Sequence, residues 1–185
     1  MWLGNWQLNR QVWKDQIIKN MEEANTQPPT PISEITEENV DDYAFKHVHV
    51  KGTWGTGPNY FVVGRTHQKR PGYHLFNIVK LSDGSNLMVN IGWVAHKNFM
   101  QKSFFEADLI GRIRKGDHPG WLSPPHKPGI QEWTSVDLEQ MGNAIGVKIL
   151  PYYVDYVRED KGRPPFPVPH IIKINNQHLG YAITW

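Results

Sequence analysis

Nine histidines and no cysteine set the chemical repertoire of this chain. Without cysteine, thiolate zinc sites, disulfide frameworks and cysteine nucleophiles are excluded. Metal chemistry is left to imidazole and carboxylate. His47 and His49 stand two apart in an alternating stretch, so both project from one strand face, as two ligands of one ion must. No third ligand follows at a recognisable spacing, and the pair reads as part of a solvated face. His118 and His126 lie in a proline-rich segment with Asp117 as the nearby carboxylate, too loosely spaced to define a centre. The adjacent Asp41 and Asp42 read as solvated residues near a helix end. Gly52-Thr53-Trp54-Gly55-Thr56-Gly57 has the glycine content of a phosphate loop but no Gly-Lys-Ser/Thr ending and no helix after it, so it reads as a tight turn. A Gly-x-Ser-x-Gly elbow is absent. No reaction centre shows itself, and the chain reads as non-enzymatic.

The remaining chemistry sits near the last residues. Asn175-Asn176-Gln177-His178 is polar, and Leu179-Gly180-Tyr181-Ala182-Ile183-Thr184-Trp185 is apolar and aromatic. If this stretch is helical, His178, Tyr181 and Trp185 share a face at i, i+3 and i+7, which joins an imidazole to two aromatic surfaces. The alternative is a histidine that bonds the backbone near Asn175. Met1-Trp2-Leu3-Gly4-Asn5-Trp6 is comparably aromatic. Both stretches suit a membrane–water boundary, where indole and phenol rings are well placed. Packing on the domain's own core is the competing reading. The membrane reading requires both ends to emerge on the same side of the domain.

Around these residues the pattern predicts a single α+β domain over 1–185. Leu3, Trp6, Trp13, Ile17 and Met21 recur at helical spacing and predict an N-terminal helix within 1–24, ended by Pro28 and Pro29. Residues 25–35 read as a linker, and Thr36–Tyr43 as a short helical turn. Strands are predicted at Lys46–Trp54, Tyr60–Gly64, Tyr73–Leu81, Asn86–Val94 and Phe104–Arg114, with Gly111 a candidate bulge. Asp83-Gly84 joins the third and fourth as a hairpin. Residues 115–133 form a long irregular segment; Trp121 and Trp133 in it are candidate partner anchors, or else cover the core. A short helix near 135–145 is capped by Thr134-Ser135-Val136-Asp137 and stopped by Gly146. Val147–Val157 and Val168–Asn176 complete the strands, with Pro164-Pro165-Phe166-Pro167 a rigid extended stretch between them. Hairpin-length connections make the sheet mostly antiparallel, curled or barrel-like to remove its edges. Twenty basic against 18 acidic residues give no electrostatic argument for nucleic acid, and no run of about 18 apolar residues spans a bilayer.

Six stretches in order resemble the surfeit locus protein 1 family. They are Leu3-Gly4-Asn5-Trp6-Gln7-Leu8-Asn9-Arg10; Val48-His49-Val50-Lys51-Gly52; Pro71-Gly72-Tyr73-His74-Leu75; Leu87-Met88-Val89-Asn90-Ile91-Gly92-Trp93-Val94; Gly111-Arg112-Ile113-Arg114 with Trp133 to Met141; and Asn176 to Trp185. In the fourth, Ile91 stands where the family has arginine. The resemblance implies a domain between two membrane helices. Residues 1–24 would lead from the first and 176–185 would open the second. It implies an assembly factor for haem–copper cytochrome c oxidase that assists subunit I maturation and haem a insertion beside other assembly factors. It places the protein in a bacterial or mitochondrial inner membrane, its domain on the periplasmic or intermembrane-space side. His178 is then the candidate haem iron ligand, with Tyr181 and Trp185 beside it, since imidazole commonly ligates haem iron. The alternative is a cofactor-free scaffold that stabilises an oxidase assembly intermediate.

Overall fold

The computed structural model describes residues 19–20, 22–23, 26–99, 106–117 and 124–169. Most of the predicted N-terminal helix therefore lies outside the described residues, although 19–20 and 22–23 are helical. The described elements are β1 (Thr30–Pro31), β2 (His47–Trp54), β3 (Tyr60–His67), β4 (Arg70–Leu81), β5 (Asn86–Val94), β6 (Ala107–Lys115), β7 (Glu132–Trp133), α1 (Leu138–Asn143) and β8 (Ile149–Tyr156). Short 3-10 turns cover Ile32–Glu34, Val40–Tyr43 and Pro128–Ile130.

Five of the strands close into a barrel. β2 pairs with β6, β6 with β8, β5 with β4 and β4 with β2, all antiparallel, and β8 pairs with β5 in parallel. Closure removes the open edges that the sequence pattern led us to expect the sheet to hide. Order and sense around the ring match a five-stranded Greek-key barrel of the OB type. β3 lies outside the ring, paired with the first half of β4, and β7 and β1 add short parallel pairings to β3 and β2. The architecture is thus mostly β, with one short α-helix among the named elements.

Alternation decides what faces inward. In β2, Val48 and Val50 are buried while His47, His49 and Lys51 point away, and Val79, Val89, Ile113 and Val154 join the two valines inside the barrel. Glycines allow the curvature. At Gly52, where β2 passes from β6 to β4, a β-carbon would run into the carbonyl oxygen of Lys80. Gly111 is not the expected bulge. Its pairings to β2 and β8 run without a register shift, and a β-carbon there would stand 2.7 Å from Cβ of Val154, so its smallness is needed for packing.

A second core lies on the outer wall. Tyr60, Val62, Trp133, Leu138 and Met141 cover Phe76, Met88 and Tyr153. α1 starts later than expected. Its cap is Asp137, whose carboxylate accepts from the Gln140 amide N–H at 3.0 Å and from Gln140 Nε2 at 2.9 Å.

Candidate functional site: a polar row across the barrel wall

On the outer wall beside the second core, successive strands place polar residues opposite one another. His47 of β2 faces Arg112 of β6, Arg112 faces Asp155 of β8, and Asp155 faces Asn90 of β5. Alternation puts them outside because their neighbours Val48, Ile113, Val154 and Val89 fill the interior. Asn90 donates through Nδ2 to Asp155 Oδ1 at 2.8 Å and to His74 Nδ1 of β4 at 3.3 Å. Arg114 Nη1 lies 3.4 Å from Asp155 Oδ2, and its guanidinium stands 4.9 Å from the Phe45 ring centroid. The row thus runs through all five barrel strands. Its centre is dry: Asn90, Asp155 and Arg112 are 1%, 4% and 5% exposed.

The bend at Asn90 is built into β5. Phe76 pairs with Asn90 and Leu75 with Gly92, which leaves Ile91 as the extra residue of a bulge. Gly92 has φ +134, and its N–H donates to Asn90 Oδ1 at 3.2 Å, so both ends of the Asn90 amide are used. Ile91 packs inward with Phe61, Leu75 and Val94.

Burial and neighbouring charge act on the titratable groups of the row in opposing directions. The His74 imidazole is pushed down to about 4, first by burial and then by Arg65 and Arg114, so it is neutral at pH 7 and free to accept at Nδ1. Burial pushes the Asp155 carboxyl up, and Arg114, Asn90, Arg112 and Arg65 pull against it. Burial also lowers the Arg112 guanidinium while Asp155 raises it. The carboxylate is engaged on both oxygens. This arrangement is a cross-linked polar platform in which Arg112 and Arg114 face the buried Asp155, with Arg114 at its partly exposed end.

The residues singled out from sequence fall differently. His178, Tyr181, Trp185, Trp121 and His118 lie outside the described residues, as does all but the start of the predicted Val168–Asn176 strand. Of the two readings of Trp133, partner anchor or cover for the core, the structure shows the second. Trp133 is 1% exposed, 6.0 Å from the Tyr60 ring and 5.0 Å from the His126 ring. Among the described residues of its segment, the large apolar side chain that is exposed is Ile130, at 54%. His49 pairs with Asp108 at 2.6 Å on the surface, and among the described residues no group of three metal-ligating side chains forms. Gly52–Gly57 leads into β3 and not into a helix. The sequence reading did not assemble the polar row, although Asp155 inside the apolar run Tyr152-Tyr153-Val154 was a visible signal, since charged residues are rarely buried unless paired.

Among the described residues no helix is long and apolar enough to cross a membrane. A model of the SURF1 family matches residues 1–185. The chain is 24% identical over 193 residues to a SURF1-like protein of Rickettsia bellii, covering 99% of this chain and 78% of that one. It is 25% identical over 209 residues to a SURF1-like protein of Drosophila melanogaster, and 25% identical over 207 residues to surfeit locus protein 1 of Homo sapiens. Each of those alignments covers 99% of this chain and 68% of the relative.

Proposed function

Since the chain belongs to the SURF1 family, we propose that it is an assembly factor for haem–copper cytochrome c oxidase, acting on subunit I together with other assembly factors and catalysing no reaction itself. The observation that carries this reading is the family match over residues 1–185. The site geometry supports a holding role: Asp155 is engaged by Asn90 and Arg114, and a carboxylate so occupied suits a fixed surface better than proton transfer. The protein would sit at a bacterial or mitochondrial inner membrane, with the barrel on the periplasmic or intermembrane-space side and residues 1–24 and 176–185 adjoining membrane helices.

Haem a is the cofactor this role implies. The donor set His178, Tyr181 and Trp185 fits it chemically, offering one imidazole for iron and two aromatic surfaces for the ring. When bound, the haem would be the cargo delivered to subunit I. The part of this chain is to hold and orient it. The test is His178→Ala in the membrane-anchored protein, read as haem a co-purified per protein. Loss of haem with the barrel still folded supports the assignment; unchanged haem content overturns it. If the wild-type anchored protein carries no haem yet still co-purifies with subunit I, the cofactor-free scaffold is the better reading, and the self-contained polar row favours that alternative.

A further inference from the structure

Where β3 ends and the chain runs on past β8, a groove of about 540 Å³ opens, a volume within the range of small-molecule sites. Val157, Pro167, Val168 and Pro169 give it apolar walls, and His67 and Arg158 also line it. One wall is rigid. The His67 ring stacks on Phe166 at 4.5 Å and 16° and lies 5.3 Å from the Trp93 ring. Phe166 is tied to Trp93 by backbone hydrogen bonds of 2.7 and 2.8 Å.

Two nitrogens of this lining are unsatisfied. His67 Nε2 and Arg158 Nε are buried and have no hydrogen-bond partner among the described residues. Arg158 spends Nη2 on the carbonyl of Pro165, which holds the guanidinium at the lining. Nε is itself enclosed, so an anionic oxygen in the groove would be held by the guanidinium's charge, and a bond to Nε would need the Arg158 side chain to shift.

The charges around the groove point the same way. Arg158 is joined by exposed Lys69 and Arg70 next to His67 in sequence, and by exposed Lys161 and Arg163 on the following loop. Glu159 and Asp160 oppose them from the lining, and Asp160 is occupied by the Gly162 N–H at 2.8 Å. Over residues 67–70 and 157–169, the stretches that carry the lining, five basic groups stand against two acidic, an excess of three, although the whole chain has an excess of only two.

We propose that this groove seats an anionic phospholipid, its acyl chain along Val157, Pro167 and Val168 and its phosphate held by Arg158 and the basic rim. The proposal extends the membrane placement above but needs neither haem nor oxidase, so its failure and that of the haem assignment are separable. The test measures binding of the 185-residue chain to vesicles of phosphatidylcholine alone and of phosphatidylcholine mixed with phosphatidylglycerol. Preference for the anionic vesicles is expected. Lys161→Glu with Arg163→Glu should weaken it by about tenfold or more, because each basic residue at an anionic surface contributes appreciably. Lys80→Glu with Lys148→Glu, an equal change in net charge at the opposite ends of β4 and β8, should leave it nearly unchanged. Val168→Asp should also weaken it, with thermal unfolding measured to confirm the fold. Equal loss in both charge variants, or insensitivity to Val168→Asp, would reduce the effect to general surface attraction and overturn the groove. Competition by soluble glycerol phosphate as strong as that by the lipid would show a simple anion site and overturn the lipid assignment as well.

Discussion

Asn90 and His74 show how one side chain can serve several strands. The Asn90 amide accepts from Gly92 N–H and donates to Asp155 and His74, which joins β5 to β8 and β4. This works only while the imidazole is neutral, because a protonated Nδ1 cannot accept. The pH dependence follows from its lowered pKa of about 4 against an ordinary value of 6.5. Between these values the unfolded chain binds a proton that the folded chain refuses. Stability from His74 is therefore full above about pH 6.5 and is lost as pH falls toward 4, by roughly 3 kcal/mol at most. Asp155, pushed up by burial, works in the opposite direction. Denaturant unfolding between pH 7 and 4 should show this loss in the wild type and a flatter profile in His74→Gln. Parallel profiles would refute the neutral acceptor.

At the level of elements, short pieces do the covering. α1 is six residues long, too short to be stable alone, and is held by its cap and by Leu138 and Met141 in the second core. Asp137→Ala removes both bonds to Gln140, and a loss of about 1–2 kcal/mol in urea unfolding is expected. Asp137→Asn should recover most of it; equal losses in the two variants would show that capping is not the cause. In OB-type barrels the face of the second and third strands is a common ligand surface. Here β4 and β5 have that face covered by β3, β7 and α1 at one end and crossed by the polar row at the other. The fold class alone therefore says little about what this barrel binds.

For the whole molecule, closure is the governing event. β2 must leave β6 and join β4 at Gly52, where any side chain would meet the backbone of Lys80. Gly52→Val should open this seam and cost roughly 3 kcal/mol or more, within the range of large single-site effects. It should also raise amide exchange in both β2 and β4, since the pairing is shared. Exchange confined to β2, or an unchanged melting temperature, would show that the ring closes elsewhere. Away from that seam, the β3–β4–β5 pairings and the bridge between Trp93 and Phe166 set His67 against Phe166, far along the chain, and so build one wall of the groove.

Local chemistry alone was enough to identify β2, β5, the Asp83-Gly84 turn and the outward placement of His47 and His49, because alternation and turn residues act over a few positions. The six family stretches were likewise legible, since they are strings of residues. The strand boundaries were less so: β3 and β4 run on to His67 and back to Arg70, held by cross-strand pairing that no local propensity records. What tertiary structure decided was which residues meet. Arg112, Asp155, Asn90 and His74 come from four strands, and no spacing in the chain relates them. Only the register of β6, β8, β5 and β4 sets them in one row. Trp133 is the converse case. A tryptophan in a proline-rich loop can as well be surface as core; pairing to β3 sets Trp133 beside Val62, and the second core closes over it.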